Sequence, residues 1–365
     1  MDKAALSKIK EILSMEIGGK ISQKSLSILL KQWSVMLRAG VNIQRALEVS
    51  KQQAANQQIR KLVEDLYRQV TQGIPFSEAL EKQNFDSVQM LASMVRAGEM
   101  SGTLDQVFTQ MSDYYLNRYE TRRKVKGSLI YPMLLMLVSL VVVGFILTYV
   151  MPTFLVLFEG NEGQLPASTR LLIEASIFLN QYGLVLSLTI ACILVGMGLA
   201  YRKRPDFRRM VDRFLLRLPL LKQYIIYNCI GRTGLILSIL SSSGVPVNET
   251  LEIVELGIQN VELKGKYQVL IRDLETGSTL HQAFTKSGSF PEMFLSMLLV
   301  GEEMGELEEV MKRSSEYYED ELKYTITSMT TLMEPVLIVI MAIVVGFIVL
   351  SIALPMFDLI TYTGI

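Results

Sequence analysis

The sequence predicts an all-α membrane protein with two repeated cytoplasmic helical bundles and three transmembrane helices. Half of the 365 residues are hydrophobic, and three uncharged stretches are long enough to cross a bilayer. Two segments 204 positions apart repeat one pattern of glycine, proline, glutamate and tyrosine. Apolar residues inside these segments recur at steps of three and four, which is typical of amphipathic helices.

The uncharged stretches cover residues 129–151, 183–201 and 335–357. A backbone in lipid must satisfy its own polar groups, so each stretch is expected to be helical. Basic residues flank the first two stretches on one side, whereas the connection between them carries only Arg170. By the positive-inside rule the N-terminus is cytoplasmic, and residues 152–182 and 358–365 are an extracytoplasmic loop and tail. The flanking basic residues are Arg122, Arg123, Lys124, Lys126, Arg202, Lys203, Arg204, Arg208 and Arg209.

The remaining chain divides into an N-terminal segment, 1–23, a first cytoplasmic repeat, 24–128, and a second, 202–332. The N-terminal segment lacks the continuous apolar core of a cleavable signal. It could form a short amphipathic helix on an anionic membrane surface or remain a frayed tail. Its apolar positions at helical spacing are Leu6, Ile9, Leu13 and Ile17.

The duplication is ordered over about 120 residues with one net indel. AGVNI at 39–43 is echoed by SGVPV at 243–247, GEMSGTL at 98–104 by GEEMGEL at 301–307, and Pro132 by Pro335. The middle span has no counterpart, because it returns the chain to the side on which both copies lie. The chain is therefore predicted to be a tandem repeat.

Within each copy the glycines are expected to cap helices or form tight turns, namely Gly40, Gly73, Gly98, Gly102 and their partners. Pro75 suits the first turn of a helix. Helices beginning near Thr103 and Glu306 meet no breaker before Pro132 and Pro335, so they are expected to continue into the membrane, with kinks at the prolines. Two apolar stripes are expected to pack in the core: Leu104, Val107, Phe108, Met111 and Tyr115, and Leu307, Val310, Met311 and Tyr318.

Groups for catalysis or cofactor binding are scarce. The chain has no G-x-x-x-x-G-K-[ST] phosphate loop, and its single histidine, His281, excludes zinc sites that need two. Cys192 lies in an apolar run and Cys229 elsewhere, which argues against a disulfide. The spans contain no ionisable residue, and Glu334 sits at a boundary where it can reach water. We therefore predict no catalytic, cofactor or metal residues and no enzyme activity.

Residues 302–321 contain nine acids against Lys312 and Arg313. Such a run can be a solvated helix face, or a docking face that steers a basic cytoplasmic partner. The candidate docking residues are Glu303, Glu306, Glu308, Glu309, Glu316, Glu319, Asp320 and Glu321.

Several phrases resemble the bacterial type II secretion F proteins and the platform proteins of type IV pilus assembly. The resemblance spans roughly residues 24–358 and rests on LRAGVNIQRALE, ETRRKVKGSLIYP, MVRAGEMSGTLDQV and its second copy LLVGEEMGELEEV. The family's signature positions, which we interpret as structural, fall on Gly40, Gly98, Glu99, Gly102, Pro132, Gly244, Gly301, Glu302, Gly305 and Pro335.

The resemblance implies an inner-membrane platform that couples a cytoplasmic secretion or pilus ATPase to the assembly of pilin or pseudopilin subunits. It also implies other inner-membrane assembly proteins as partners and a homo-oligomer, with no direct contact to nucleic acid. Two other classes fit the residues alone: a membrane adaptor or scaffold, and a small transporter subunit, whose uncharged spans would need oligomerisation to line a pore.

The two copies differ in charge. Residues 1–128 hold 19 basic and 13 acidic side chains, whereas residues 201–332 hold 16 basic and 18 acidic ones. The second copy also replaces Arg38-Ala39 by Ser242-Ser243 and Tyr131 by Glu334. We expect the copies to contact different partners or different faces of one partner.

Overall fold

The computed structural model describes residues 21–54, 56–83, 85, 88–153, 166–242 and 244–363. These residues form helices and no strands, in agreement with the predicted all-α class. They cluster in two compact units: unit 1 is Met1–Arg123 with Lys222–Leu322, and unit 2 is Lys124–Leu221 with Lys323–Ile365. The predicted amphipathic segment around Leu6 to Ile17 lies outside the described residues.

The first repeat begins at Gln23. Its helices are α1 (Gln23–Arg38), α2 (Ile43–Gln53), α3 (Gln57–Thr71), α4 (Phe76–Glu81), α5 (Val88–Ser101) and α6 (Leu104–Phe145). Helix α6 is followed by a π-helical turn, Ile146–Val150. Asn42 and Asn56 cap α2 and α3, because their side-chain oxygens accept backbone N–H groups of the first turn.

Two helices precede the second repeat, α7 (Ala167–Lys203) and α8 (Pro205–Leu215). The second repeat then reproduces the first, helix by helix, from α9 to α14. These helices are α9 (Pro219–Ser242), α10 (Val247–Gly257), α11 (Val261–Glu275), α12 (Leu280–Lys286), α13 (Glu292–Met304) and α14 (Leu307–Thr363). The duplication predicted from the sequence is thus a duplication of structure.

Aromatic rings fill the core of each repeat. In the first, Trp33, Phe76 and Phe108 are fully buried, with ring centroids 5.4–5.8 Å apart. In the second, the Phe284 ring packs against Phe294, which in turn contacts Tyr318. The predicted stripe of α6 is buried from Val107 to Tyr115, whereas in α14 Met311 and Tyr318 are buried and Leu307 and Val310 are half-buried.

One hydrogen bond between helices recurs in both repeats. The Ser112 hydroxyl of α6 donates to the Ser27 carbonyl of α1 at 2.9 Å, and the Ser315 hydroxyl of α14 donates to the Gly231 carbonyl of α9 at 2.6 Å. Helix α9 approaches α14 closely at Gly234, where an added Cβ would lie 2.7 Å from the Met311 carbonyl oxygen. The first repeat has Leu30 at that position, so the two repeats pack differently there.

The two repeats pack together within unit 1. Helix α5 of the first repeat lies against α10 of the second. The Asn117 amide donates to the Glu319 carboxylate at 2.8 Å, and the buried Arg232 guanidinium lies 5.9 Å from the Tyr114 ring centroid. Burial opposes ionisation of Tyr114, but Arg232 and Arg118 outweigh it and lower the pKa of its hydroxyl. The sequence predicted two bundles, and the structure joins them into one compact unit.

Unit 2 contains the three predicted spans. The helices that carry them are much longer than a bilayer requires: the helix from Leu104 to Thr153 has 50 residues, or about 75 Å at the α-helical rise, and α14 has 57. Both helices continue through Pro132 and Pro335, as expected from the absence of an earlier breaker, and the kinks expected at these prolines stay a prediction. Within the described part of the chain, four helices are apolar and long enough to cross a membrane.

The fourth such helix, α9, belongs to the core of unit 1. In the most apolar 18-residue segment of α9, 67% of the residues are buried, whereas 11% or less are buried in the corresponding segments of the other three helices. A helix that is apolar on all sides is suited to a protein core as well as to a bilayer. The burial of α9 in unit 1 explains why this helix is apolar, although it also contains Arg232.

Helix α7 begins at Ala167, so the second half of the predicted loop 152–182 is helical. Arg170 and Glu174 lie before the uncharged stretch 183–201 and within the same helix, since isolated charges do not break helical hydrogen bonding. Polar contacts tie this part of α7 to the other long helices. The Thr169 hydroxyl donates to the Ser351 carbonyl at 2.6 Å, and the Ser176 hydroxyl to the Leu147 carbonyl of the π turn at 2.5 Å.

An apolar cluster surrounds these hydrogen bonds. Leu147, Met151, Leu172 and Ile348 are buried against one another, so α6 with its π turn, α7 and α14 meet in unit 2. The predicted second repeat, 202–332, also differs at its start, because α8 packs on α7 in unit 2 rather than on the helices of unit 1.

Candidate functional site

The signature glycines occupy two kinds of position. Gly40, Gly102, Gly244 and Gly305 have φ between +69° and +83°, the left-handed region in which a Cβ is strained. They end α1, α5, α9 and α13, as expected for capping glycines. Gly73 and Gly277 also have positive φ.

Gly98 and Gly301 lie inside α5 and α13, so our expectation that they cap helices was wrong. They allow close approach of the next helix. A Cβ on Gly98 would lie 2.9 Å from Val107 Cγ2, and one on Gly301 would lie 3.2 Å from Leu307 Cδ1. The long helix therefore folds back tightly on the helix before it in both repeats.

The signature glutamates cap a neighbouring helix. The Glu99 carboxylate accepts the Phe76 and Ser77 N–H groups, at 2.8 and 3.2 Å, and the Ser77 hydroxyl at 2.5 Å. The Glu302 carboxylate accepts the N–H groups of Leu280 and His281. Each glutamate thus accepts hydrogen bonds from N–H groups that have no acceptor within α4 or α12. Its negative charge also interacts favourably with the dipole at the start of that helix.

Sequence reasoning missed this capping role. A local capping box places its acid three residues after the cap, whereas Glu99 follows Phe76 by 23 positions and Glu302 follows Leu280 by 22. The parallel occurrence of both glutamates in the two copies was the available signal. In each signature phrase the first glycine allows close helix packing, the glutamate caps a neighbouring helix, and the second glycine ends its own helix.

The acids of residues 302–321 do not form one uniform face. Glu319 bonds to Asn117 within unit 1, and Glu309 accepts from Arg313 at 2.9 Å, which lowers the pKa of Glu309. Glu308 and Glu309 lie in the first turn of α14, where the helix dipole stabilises negative charge. Glu321 is half-buried, and the candidate docking residues that are exposed are Glu303, Glu306, Glu308, Glu309, Glu316 and Asp320.

An exposed apolar face adjoins the first of these acids. Met293, Val300 and Met304 share one side of α13 and are 47%, 41% and 69% exposed. The positions equivalent to Met293 and Val300 in α5 are Met90 and Ala97, which are buried in the repeat that α10 covers. We call Met293, Val300 and Met304 the open face of α13.

Reactive groups elsewhere in unit 1 are satisfied in the core. Burial raises the pKa of the Cys229 thiol, and burial also raises the pKa of Tyr267 well above its usual range. The Tyr267 hydroxyl lies 2.6 Å from the Thr233 hydroxyl and accepts a hydrogen bond from the Cys229 thiol at 3.5 Å. Among the described residues no three His, Cys, Asp or Glu side chains are grouped to hold a metal ion.

The protein is a membrane protein built from two helical repeats, each of which ends in a long helix that continues into an apolar span. Comparison with known families identifies the particular family. The family described as Type II secretion system (T2SS), protein F matches twice, over residues 29–152 and 235–355. The chain belongs to this family, and each of the two matches overlaps one repeat and the span that follows it.

The relatives are similar over nearly their whole length. The chain is 28% identical to the type IV pilus assembly protein PilC of Pseudomonas aeruginosa over 96% of this chain and 94% of that protein. It is 32% identical to the type II secretion system protein F of the same organism, over 93% of this chain and 84% of that protein. It is also 31% identical to PilC of Thermus thermophilus, over 92% and 83%.

Proposed function

We propose that the protein is an inner-membrane platform of a type IV pilus or type II secretion machine, which couples a cytoplasmic ATPase to the assembly of pilin or pseudopilin subunits. The observation that carries the proposal is that α6 and α14 each contribute to unit 1 and continue unbroken into unit 2. Family membership supports it, and the relatives are named for pilus assembly and secretion rather than for solute transport.

In this proposal the N-terminus and both repeats are cytoplasmic. The basic residues before the first span and after the second support that orientation. The ATPase would shift unit 1, and α6 and α14 would pass the motion to pilin helices in the bilayer. Other inner-membrane assembly proteins and further copies of the chain complete the platform.

The protein itself is expected not to hydrolyse nucleotide, because its sequence lacks a phosphate loop. Purified full-length protein in detergent should release phosphate from ATP at the rate of a buffer blank. Adding the hexameric ATPase of the same machine should restore hydrolysis and serves as the positive control. Hydrolysis that scales with the concentration of the purified protein alone would contradict the proposal.

A docking surface for the ATPase is proposed at the open face of α13 and the exposed acids beside it. The open face offers apolar area that is covered in the first repeat, and complementary charge would set the register of a basic partner. Glu303 and Glu306 are better candidates than Glu308 and Glu309. The latter pair is already explained by the dipole of α14 and by Arg313.

Charge reversal tests this surface. We expect the E303K/E306K variant to weaken binding of the ATPase to the full-length protein by about tenfold at low salt, because two attractions become repulsions. Binding can be measured by biolayer interferometry in detergent. The E252K/E275K variant is a matched control, since it reverses two exposed acids elsewhere in the second repeat. Equal affinity for the two variants would remove this docking proposal while leaving the platform proposal intact.

A further inference from the structure

A single residue, Arg204, separates α8 from α7, shortly beyond the uncharged stretch 183–201. It packs against α7 in unit 2. On the packed side the Tyr201 hydroxyl donates to the buried Asp212 carboxylate at 2.9 Å, and Arg208 Nε lies 4.0 Å from the same carboxylate. This cluster orients α8 and engages Asp212, one of the two acids of the helix, internally.

The opposite side of α8 is apolar and exposed. Met210 and Phe214, one helical turn apart, are 62% and 58% exposed, and Leu218 just beyond the helix is 38% exposed. Met210 and Phe214 lie two residues before and two residues after Asp212, each about 160° around the helix axis from it, so the apolar side is turned away from the Asp212 cluster. A single exposed apolar residue is ordinary, but two on one turn of a short helix need a cover.

The segment that contains α8 is strongly basic. Between residues 202 and 217 the chain has seven cations and two acids, the exposed Asp206 in the first turn and the buried Asp212. Arg209 and Arg217 are exposed beside Met210 and Phe214. The seven cations are Arg202, Lys203, Arg204, Arg208, Arg209, Arg213 and Arg217.

We propose that α8 is a lipid-binding helix that lies in the headgroup region of an anionic bilayer. Met210 and Phe214 insert between lipids, and the arginines bind lipid phosphates. A short helix with an apolar face, a basic rim and a covalent link to a span has the composition of an interfacial helix, and anionic headgroups supply the complementary charge. The proposal rests on membrane insertion of α7 and not on any partner of unit 1.

The test measures the depth of α8 in the full-length protein. In a C192S/C229A background, Met210→Cys or Phe214→Cys carries an environment-sensitive NBD label, and the protein is reconstituted in phosphatidylcholine vesicles with or without phosphatidylglycerol. We expect lipid-borne quenchers to quench the label about threefold more than a label at the exposed Gln52→Cys of α2. Quenching should increase when phosphatidylglycerol is present.

Charge removal completes the test. R209Q/R217Q should decrease lipid quenching in phosphatidylglycerol vesicles, whereas K61Q/K82Q, which removes two exposed lysines of the first repeat, should not. The proposal is overturned if aqueous iodide reaches labels at 210 and 214 as readily as the label at 52. It is also overturned if protection is independent of phosphatidylglycerol, or if it disappears on dilution of protein in lipid, which would indicate contact between copies.

Discussion

Replacing Gly234 by alanine is expected to destabilise unit 1 by about 3 kcal/mol, at the upper end of the usual cost of overpacking. The new Cβ would lie 2.7 Å from the Met311 carbonyl oxygen and 3.1 Å from the Ser315 N. Both are backbone atoms of α14, so no side-chain rotation can relieve the contact. Helix α9 would have to move away from α14 and weaken the hydrogen bond from Ser315 to Gly231.

Trp33 provides the measurement, because it is the only tryptophan and is buried in unit 1. Urea unfolding of the full-length protein in detergent, followed by Trp33 fluorescence, should have its midpoint lowered by about 1.5 M for a denaturant dependence near 2 kcal/mol per molar. Gly265→Ala is the matched control. Nothing lies within 4 Å of its new Cβ in α11, so it should stabilise the protein by about 0.5–1 kcal/mol.

Equal midpoints for Gly234→Ala and the parent protein, by both fluorescence and far-ultraviolet circular dichroism, would show that the close packing of α9 on α14 is incorrect. A loss of helical signal at low urea with an unchanged Trp33 midpoint would mean that the two repeats unfold separately. That result would contradict the packing of both repeats in one compact unit through α5 and α10.

Replacing Glu302 by alanine is expected to cost about 2 kcal/mol, because two N–H groups at the start of α12 lose a charged acceptor in a half-buried site. Glu302→Gln should cost about half as much, since one amide oxygen can accept one of the two donors. The same Trp33 unfolding experiment measures both variants. Glu99→Ala should act in the same direction through α4.

Glu303→Ala is the control for this series, because Glu303 is the next residue, carries the same charge and is exposed. A surface substitution of this kind is expected to change stability by less than about 0.5 kcal/mol. If Glu302→Ala and Glu303→Ala had the same midpoint, the signature glutamate would not act as a cap. Its place in the family phrase would then need another explanation, such as contact with a partner.

The asymmetry between the repeats has a structural side as well as an electrostatic one. Met90 and Ala97 in α5 are buried, whereas the equivalent Met293 and Val300 in α13 are exposed. Tandem copies packed in one unit need not be environmentally equivalent, because one copy can cover a face that has no cover in the other. This difference, rather than the net charge of each repeat, is the reason that the docking proposal is placed on α13.

The sequence by itself determined the helical class, the duplication and the three spans. These properties depend on consecutive residues, through apolar length, helical spacing and the need to satisfy the backbone in lipid. The turn glycines Gly40, Gly102, Gly244 and Gly305 were also predictable, because a helix end is a local event.

Only the tertiary structure decided the roles of Glu99 and Glu302, the inward position of Gly98 and Gly301, and the joining of both repeats in unit 1. It also divided the acids of residues 302–321 between internal bonds and an exposed surface. The glutamate caps and the joining of the repeats depend on atoms from positions far apart in the chain, and the glycine contacts depend on how closely two consecutive helices pack. Hydrophobic periodicity specifies which side of a helix is buried, but not which helix covers it.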